Sequence, residues 1–182
     1  MRLHRLWLPG ALALGIGSCA PRQIPADSPP PPRVARAELH EPGGRVVARA
    51  FVELAGDSLR VRVEAAGLAP GVYGTHLHAV GRCDPPAFAS AGPHWNPTGR
   101  QHGKDNPQGM HMGDLPNLMV GADGKGGFEY SIAGGGFYAG APAILFDADG
   151  TAVVVHAQPD DLRTDPSGNS GARIACGVLT PG

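Results

Sequence analysis

The sequence predicts an all-β protein, an antiparallel sandwich or barrel, and three observations lead to this fold class. Glycine and proline, which interrupt helices, number 28 and 19 among 182 residues, about a quarter of the chain. Hydrophobic residues make up 42% of the sequence, enough to build a core. Short stretches of alternating apolar and polar residues recur between turn signals. The balance of 15 basic and 16 acidic side chains gives no indication of nucleic-acid binding.

The strands follow one another along the chain from about position 35. The clearest covers 59–65, where Leu59 and Val61 face one way while Arg60 and Arg62 face the other, the period of two that a half-buried strand shows. Pro-Gly and Asp-Gly pairs supply turns between strands. We predict eight strands, with 143–146 as a shorter ninth candidate, at 35–40, 46–54, 59–65, 73–79, 118–122, 128–132, 152–156 and 173–179.

The first 33 residues are predicted to lie outside the folded domain. Two arginines precede an apolar run that is too short, at about 11 to 13 residues, to span a bilayer, which is typical of a secretory signal peptide over 1–18. Ile-Gly-Ser-Cys at 16–19 also resembles a bacterial lipobox and predicts lipidation of Cys19. A plain signal peptide with an incidental cysteine is the alternative. Six prolines within 20–33 indicate an extended tether over 19–33, or a leader with no spacer role.

The cysteines agree with export. Once Cys19 is set aside for lipidation or processing, Cys83 and Cys176 remain, and they can pair in an oxidising compartment. Two buried free thiols are the alternative. We therefore predict an exported domain over 34–182, in the periplasm or cell envelope and anchored to a membrane through Cys19.

The stretch between 79 and 118 has no periodic pattern, although loops longer than about 15 residues are normally functional or disordered. Something other than secondary structure must order it. This stretch holds His94, His102, His111 and Asp114. Three imidazole nitrogens and a carboxylate oxygen make a complete tetrahedral zinc site, which would be structural. Polar histidines on a solvated loop are the alternative.

Three further histidines lie on predicted strands. His76 and His78 are two residues apart, so their rings project from the same face and can bind one metal ion, although two surface histidines would show the same spacing. His156 ends an apolar strand and could supply another nitrogen. Asp160, four residues later, is placed either to orient a ligand ring or to lie solvated in a loop.

These residues fall in segments that resemble the copper/zinc superoxide dismutase family, of the exported bacterial type. The resemblance extends from about 35 to 179 and implies an eight-stranded Greek-key, immunoglobulin-like sandwich or barrel with long metal-binding loops. It is carried by six segments in order: Gly-Thr-His-Leu-His at 74–78, Ser-Ala-Gly-Pro-His-Trp-Asn-Pro at 90–97, His-Gly at 102–103, His-Met-Gly-Asp-Leu-Pro-Asn at 111–117, Val-Val-Val-His at 153–156, and Gly-Asn-Ser-Gly-Ala-Arg-Ile-Ala-Cys-Gly-Val at 168–178.

The resemblance also implies a role for each candidate residue. Copper would be held by His76, His78, His94 and His156. Zinc would be held by His94, His102, His111 and Asp114, so that the His94 ring touches both metals. Asp160 would link ligands of the two sites, and Arg173 would meet the anionic substrate beside the copper. Cys83 and Cys176 would match the intrachain disulfide of the family.

The function implied by this resemblance is superoxide dismutation, in which Cu(II)/Cu(I) cycling converts superoxide to dioxygen and hydrogen peroxide. Zinc would be structural, and His94 would deliver a proton. A homodimer is compatible with the resemblance. A membrane-tethered copper/zinc-binding lipoprotein without turnover is the alternative, and an adhesive β-sandwich with accidental histidines is a third reading. The presence of every copper candidate together with Arg173 favours the enzyme.

Overall fold

A computed structural model describes residues 33–182. The predicted signal peptide, Cys19 and nearly all of the tether lie outside these residues. The described part contains twelve strands and one short 3₁₀ helix, Ala89–Ala91. The strands are β1 Val34–His40, β2 Val46–Ala55, β3 Ser58–Ala66, β4 Gly71–Tyr73, β5 Thr75–His78, β6 Leu118–Val120, β7 Lys125–Ala133, β8 Gly135–Gly136, β9 Ala143–Ile144, β10 Ala152–His156, β11 Arg173–Val178 and β12 Thr180–Pro181.

Ten strands form one antiparallel sheet in the order β4-β6-β7-β3-β2-β1-β11-β10-β5, with β12 also paired to β1. Strands β1 to β3 follow one another by short turns, and β11 returns to lie beside β1, as in a Greek key. The outermost strands, β4 and β5, are separated in the chain only by Gly74. The two sheet edges therefore meet at Gly74, and the sheet is a nearly closed barrel. The all-β, antiparallel fold class is confirmed.

One predicted strand, 73–79, is wrong as a single element, because the chain changes pairing partner at Gly74. Residues before Gly74 pair with β6, and residues after it pair with β10. A Cβ at Gly74 would lie 2.6 Å from the Ser170 hydroxyl oxygen, so only glycine lets the 170 loop approach here.

Other strand boundaries shift for local reasons. β7 begins at Lys125 rather than 128, because Gly126 and Gly127 pair with β3 although they show no apolar alternation. The ninth candidate is present only as β9, which forms a two-residue parallel ladder with β8. Within residues 33–182, no helix is long and apolar enough to cross a membrane.

The barrel core confirms the alternation seen in the sequence. Leu59, Val61 and Val63 on β3 are fully buried, whereas Arg60 and Arg62 between them are exposed. Burial of each such aliphatic side chain stabilises the fold by about 1.5–3 kcal/mol. The core cluster continues through β1, β2 and β10, so the barrel is stabilised mainly by its own apolar interior.

Residues 79–117, here called the metal loop, pack against this barrel, and two of them, Trp95 and Leu115, join its core cluster. A second cluster, formed by Phe88 and Ala91 of the loop with Ala152, Val154 and Cys176 of the sheet, covers the outer face of β10 and β11. As a result every residue of β10 is buried. A disulfide between Cys83 and Cys176, with Cα atoms 5.6 Å apart, joins the loop to β11.

Candidate metal centre

The centre is built on β5, a short strand whose four residues are all buried. On its side away from β10, the metal loop adds backbone contacts at two points, where His76 lies opposite Asp114 and His78 lies opposite His94. The Leu77 amide donates to the Gly113 carbonyl (2.9 Å), and the Trp95 amide donates to the Leu77 carbonyl (2.8 Å). The strand therefore brings distant loop histidines beside its own.

Four loop side chains converge on one point. The Nδ1 atoms of His94, His102 and His111 lie 2.9, 3.0 and 3.1 Å from Asp114 Oδ1. The His94 and His111 Nδ1 atoms are 3.4 Å apart. Ligand atoms around a tetrahedral zinc with bonds of 2.0–2.1 Å are separated by about 3.3 Å, so these four atoms fit one zinc ion. The other Asp114 oxygen accepts the Gly103 and His111 amides, which holds the carboxylate in place.

A second group consists of His76, His78, His94 and His156, which offer one nitrogen each within 4.8 Å of one another. The Nδ1–H of His78 donates to the Gly92 carbonyl (2.9 Å), and the Nδ1–H of His156 donates to the Gly171 carbonyl (3.2 Å). Their Nε2 atoms face each other at 3.4 Å. Since each neutral ring has one proton, both Nε2 atoms are lone-pair donors available to a metal.

The two remaining nitrogens of this group are buried without a hydrogen-bond partner among the described residues: His76 Nδ1 and His94 Nε2. Buried polar atoms are normally paired, because an unpaired one costs about 1–3 kcal/mol. A metal bound by all four nitrogens would satisfy both. Imidazole suits copper, so the donor set fits this ion.

His94 belongs to both groups. Its Nδ1 faces Asp114, and its Nε2 faces the second group. His76 also lies within 4.8 Å of His94, His102 and Asp114, but its Nε2 is directed to Asp160 rather than to Asp114. We therefore place His76 with the second group and His111 with the first.

Asp160 connects the two groups from behind. Its Oδ2 accepts from His76 Nε2 (2.8 Å) and its Oδ1 accepts from His102 Nε2 (2.9 Å). Hydrogen bonds of this kind fix the ring orientation and the tautomer of a ligand. Two hydrogen bonds from the Asn117 side chain fix the backbone of Asp160. Asn117 Nδ2 donates to the Asp160 carbonyl, and Asn117 Oδ1 accepts from the Asp160 amide.

Burial keeps most of these histidines neutral. It lowers the pKa of His76 to about 3 and that of His156 to about 4, and it lowers the pKa values of His78 and His94 as well. These rings are thus ready to bind metal at neutral pH. His102 differs: burial again disfavours its charge, but the hydrogen bonds that its ring donates to Asp114 and Asp160 outweigh burial and raise its pKa to about 9. The same histidine contacts outweigh burial and lower the pKa of both aspartates.

A solvent-open cleft of about 510 Å³ reaches His94, His111 and His156, with Arg173 also in its wall. The Arg173 guanidinium donates to the Phe88 carbonyl (2.8 Å) and the Gly92 carbonyl (2.7 Å). Gly92 is also the acceptor for His78. One carbonyl therefore positions both a ring of the second histidine group and the arginine beside it.

The structure brings the predicted ligands, Asp160 and Arg173 together in this centre or its wall. Cys83 and Cys176 form the disulfide instead, and Cys19 lies outside the described residues. Several positioning groups were not foreseen. Asn117 and Gly92 lie within quoted motifs, but a motif does not reveal which partner an amide or carbonyl will meet. Gly168 is similar: a Cβ there would clash with Asp160 Oδ1, a contact between residues of one loop that only its folded path creates.

Comparison with known proteins agrees with this geometry. A family described as copper/zinc superoxide dismutase matches residues 46–179. A superoxide dismutase-like protein, YojM, of Bacillus subtilis is 39% identical over 97% of this chain and 96% of its own. A copper-zinc superoxide dismutase of Caulobacter vibrioides is 45% identical over 65% of this chain and 70% of its own.

Solved structures give the same result for the fold. A crystal structure of a superoxide dismutase-like protein from Bacillus subtilis superimposes with a TM-score of 0.75 at 41% identity, covering 80% of this chain and 97% of that one. The family match spans most of the folded domain, and the curated relatives agree with it. The chain belongs to the copper/zinc superoxide dismutase family.

Proposed function

We propose that this protein is a superoxide dismutase, which converts two superoxide anions and two protons to dioxygen and hydrogen peroxide. The observation that carries the proposal is the set of four imidazole nitrogens, His76 Nδ1 and the Nε2 atoms of His78, His94 and His156, that face one another without donating a proton. They lie beside a positioned arginine in a cleft that is open to solvent.

In this proposal His76, His78, His94 and His156 hold copper, while His94, His102, His111 and Asp114 hold zinc. Copper supplies, when bound, the one-electron Cu(II)/Cu(I) couple that both half-reactions need. Two groups of the chain do the remaining work. Arg173 presents fixed N–H donors and a permanent positive charge to the incoming anion. His94 Nε2, which has no hydrogen-bond partner among the described residues, would accept a proton from solvent and donate it to the reduced product, while Nδ1 remains directed to Asp114.

The experiment that tests the proposal is metal analysis and dismutase activity measured on the same sample of the exported domain. We expect one copper and one zinc per chain and activity that requires the copper. His156→Ala should lose copper and at least about a hundredfold in activity while it retains zinc and the fold. His40→Ala, which removes a histidine outside the centre, is the control and should change neither. Wild-type activity in the His156→Ala protein would refute the copper assignment.

A second candidate is a non-catalytic copper/zinc-binding lipoprotein on the same fold. The name of the Bacillus subtilis relative, superoxide dismutase-like, makes this alternative worth testing. It predicts full metal content and no turnover in the same experiment. Arg173 argues against it, because a protein that only stores metal has no need of a cation held at the mouth of the site.

We also propose that the protein is exported and anchored in the cell envelope through lipidated Cys19. The sequence at 16–19 and the disulfide of the folded domain support this location. Mass spectrometry of the mature protein should find an acylated Cys19 at the N-terminus, and Cys19→Ser should release the protein from membranes. A mature protein that retains residues 1–18 would refute the assignment. We propose a homodimer as the assembly, to be tested by the sedimentation of the released domain.

A further inference from the structure

Arg173 is not the only arginine in the metal cleft. Arg100, an exposed residue of the metal loop, lines the same cleft as His94, His156 and Arg173. Arg173 is committed to two backbone carbonyls. Nothing in residues 33–182 engages the Arg100 guanidinium, so its charge is available to a ligand in the cleft.

This freedom distinguishes Arg100 from most exposed basic residues of the domain. Six others have a carboxylate within 4.0 Å: Arg45, Arg49, Arg60, Arg62, Arg82 and Lys104. Their charges are largely offset at short range. The one carboxylate that lines the cleft, Asp165, accepts the His102 amide at 2.6 Å and is not within ion-pair distance of Arg100.

The backbone of Arg100 is nevertheless held firmly. Asn96, which also lines the cleft, accepts the Arg100 amide through Oδ1 (3.0 Å) and donates to the Arg100 carbonyl through Nδ2 (2.8 Å). The two hydrogen bonds close the turn that leads to His102. The side chain is thus attached to a fixed point at the cleft while its charged end remains unengaged.

We propose that Arg100 is a second guiding cation of the cleft, which attracts the small anionic substrate before Arg173 orients it. The inference rests on the proposed function, since it takes the substrate to be superoxide. Like-signed charges at the mouth of a cleft raise the local concentration of a counter-ion and its rate of association, and salt weakens the effect. Arg100 is here a positioning residue and does not touch the reacting atoms.

The test compares Arg100→Gln, Arg100→Glu and Arg100→Lys with Arg36→Gln. Arg36 is an exposed arginine of β1, away from the cleft and without an acidic partner among the described residues, so its substitution changes net charge equally. The second-order rate constant for superoxide is measured by pulse radiolysis at several ionic strengths. Azide binding to copper-loaded protein is measured by optical titration. Metal content confirms that the loop remains intact.

We expect Arg100→Gln to lower the rate constant and weaken azide binding about two- to threefold at low salt, with a flatter salt dependence, and Arg100→Glu to lower both further. Arg100→Lys should resemble wild type, as should Arg36→Gln. The inference is overturned if Arg100→Gln matches wild type, or if Arg36→Gln has an equal effect. A fully metallated but inactive wild type would refute the proposed function instead, and the azide comparison would still decide the role of Arg100.

Discussion

The hairpin wall formed by β2, β3 and β7 and the metal loop at 79–117 are ordered by different forces. In this wall, β3 pairs with β2 on one side and with β7 on the other in long antiparallel ladders. Aliphatic side chains such as Leu59 and Val63 are buried in its inner face. The metal loop contains one 3₁₀ turn of three residues, and half of its eight buried side chains are polar: His94, His102, His111 and Asp114. Hydrophobic burial stabilises the wall, whereas the loop combines a few apolar anchors with a buried cluster of polar groups that are able to bind metal.

The largest expected effect comes from metal removal. Metal held at a thousandfold its dissociation constant stabilises the folded state by about 4 kcal/mol, which chelation would abolish. After chelation, the backbone amides of the metal loop should exchange hydrogen much faster than those of β2 and β3. Calorimetry with exchange mass spectrometry measures both. Equal loss of protection in the two regions would show that they are not ordered separately.

Removal of the disulfide should have an effect of similar size. It closes a separation of 93 residues, for which chain entropy gives a stabilisation of about 4–5 kcal/mol. Cys83→Ser combined with Cys176→Ser avoids a free thiol. We expect a lower free energy of unfolding and reduced activity at normal zinc content, because the carbonyls that hold Arg173 lie in the tethered segment. Reduction of the wild type should reproduce the change, and loss of zinc without loss of activity would contradict it.

A cavity in the wall should lower the stability of the fold without changing its metal content. Leu59→Ala removes a fully buried side chain and should lower the free energy of unfolding by about 2–5 kcal/mol. Copper and zinc content should stay at the wild-type level. Val72→Ala, at a site 40% exposed, is the control and should change stability by about 0.5 kcal/mol or less. Denaturant titration and metal analysis decide whether the wall and the centre are independent.

Acidification should weaken the metal-free centre. Histidine in an unfolded chain titrates near pH 6.5, whereas burial lowers the pKa of His76 to about 3 and that of His156 to about 4. Below pH 6.5 the unfolded state therefore binds more protons. Stability should fall by about 2 kcal/mol as the pH decreases from about 7 to about 5.5. Urea titrations of metal-free protein at the two pH values measure this change.

His102 acts in the opposite direction, since its pKa is raised to about 9. Its contribution is present below pH 6.5 and disappears as the pH rises through 9. It therefore offsets only part of the loss on acidification, because His78 and His94 also have lowered pKa values. A metal-free protein that becomes more stable between pH 7 and pH 5.5 would show that His102 dominates.

The smallest expected effect concerns the support behind the centre. Gly168→Ala places a methyl group against Asp160 and should weaken metal binding about 10- to 100-fold. Gly134→Ala is a matched control, because Gly134 has a similar positive φ of 73° but nothing within 4 Å of the added Cβ. Both variants share the backbone strain, so the difference in their metal affinities reports the crowding of Asp160 and of the His102 ring that it contacts. Equal metal affinities of the two variants would show that crowding Asp160 does not affect metal binding.

Local patterns in the sequence predicted much of the barrel. The alternation at 59–65 predicted β3, because a strand with one buried face must place apolar residues at every second position. The predicted strand boundaries were wrong at glycines. Gly74 divides the predicted strand 73–79, and Gly126 with Gly127 lengthens β7, since a residue without a side chain carries no periodic signal while its backbone can still pair.

The candidate site shows the same division. The sequence identified candidate metal ligands in the long loop, because several metal-binding side chains lie together there without any hydrophobic periodicity: His94, His102, His111 and Asp114. The sequence could not show which nitrogen of each ring faces which partner. That choice depends on backbone carbonyls, such as those of Gly92 and Gly171, that approach from other segments. The commitment of one nitrogen to a carbonyl or to Asp160 leaves the other for a metal.

The sequence by itself determined the all-β class, the positions of most strands and the types of side chain available to a metal, since these depend on short-range periodicity and on donor chemistry. Tertiary structure alone decided that β5 would lie at an edge where the metal loop could pair with it, that Asp160 would join the two groups, and that Arg100 would share a cleft with Arg173. Those relations join residues that are far apart in the chain, and only the folded barrel brings them together.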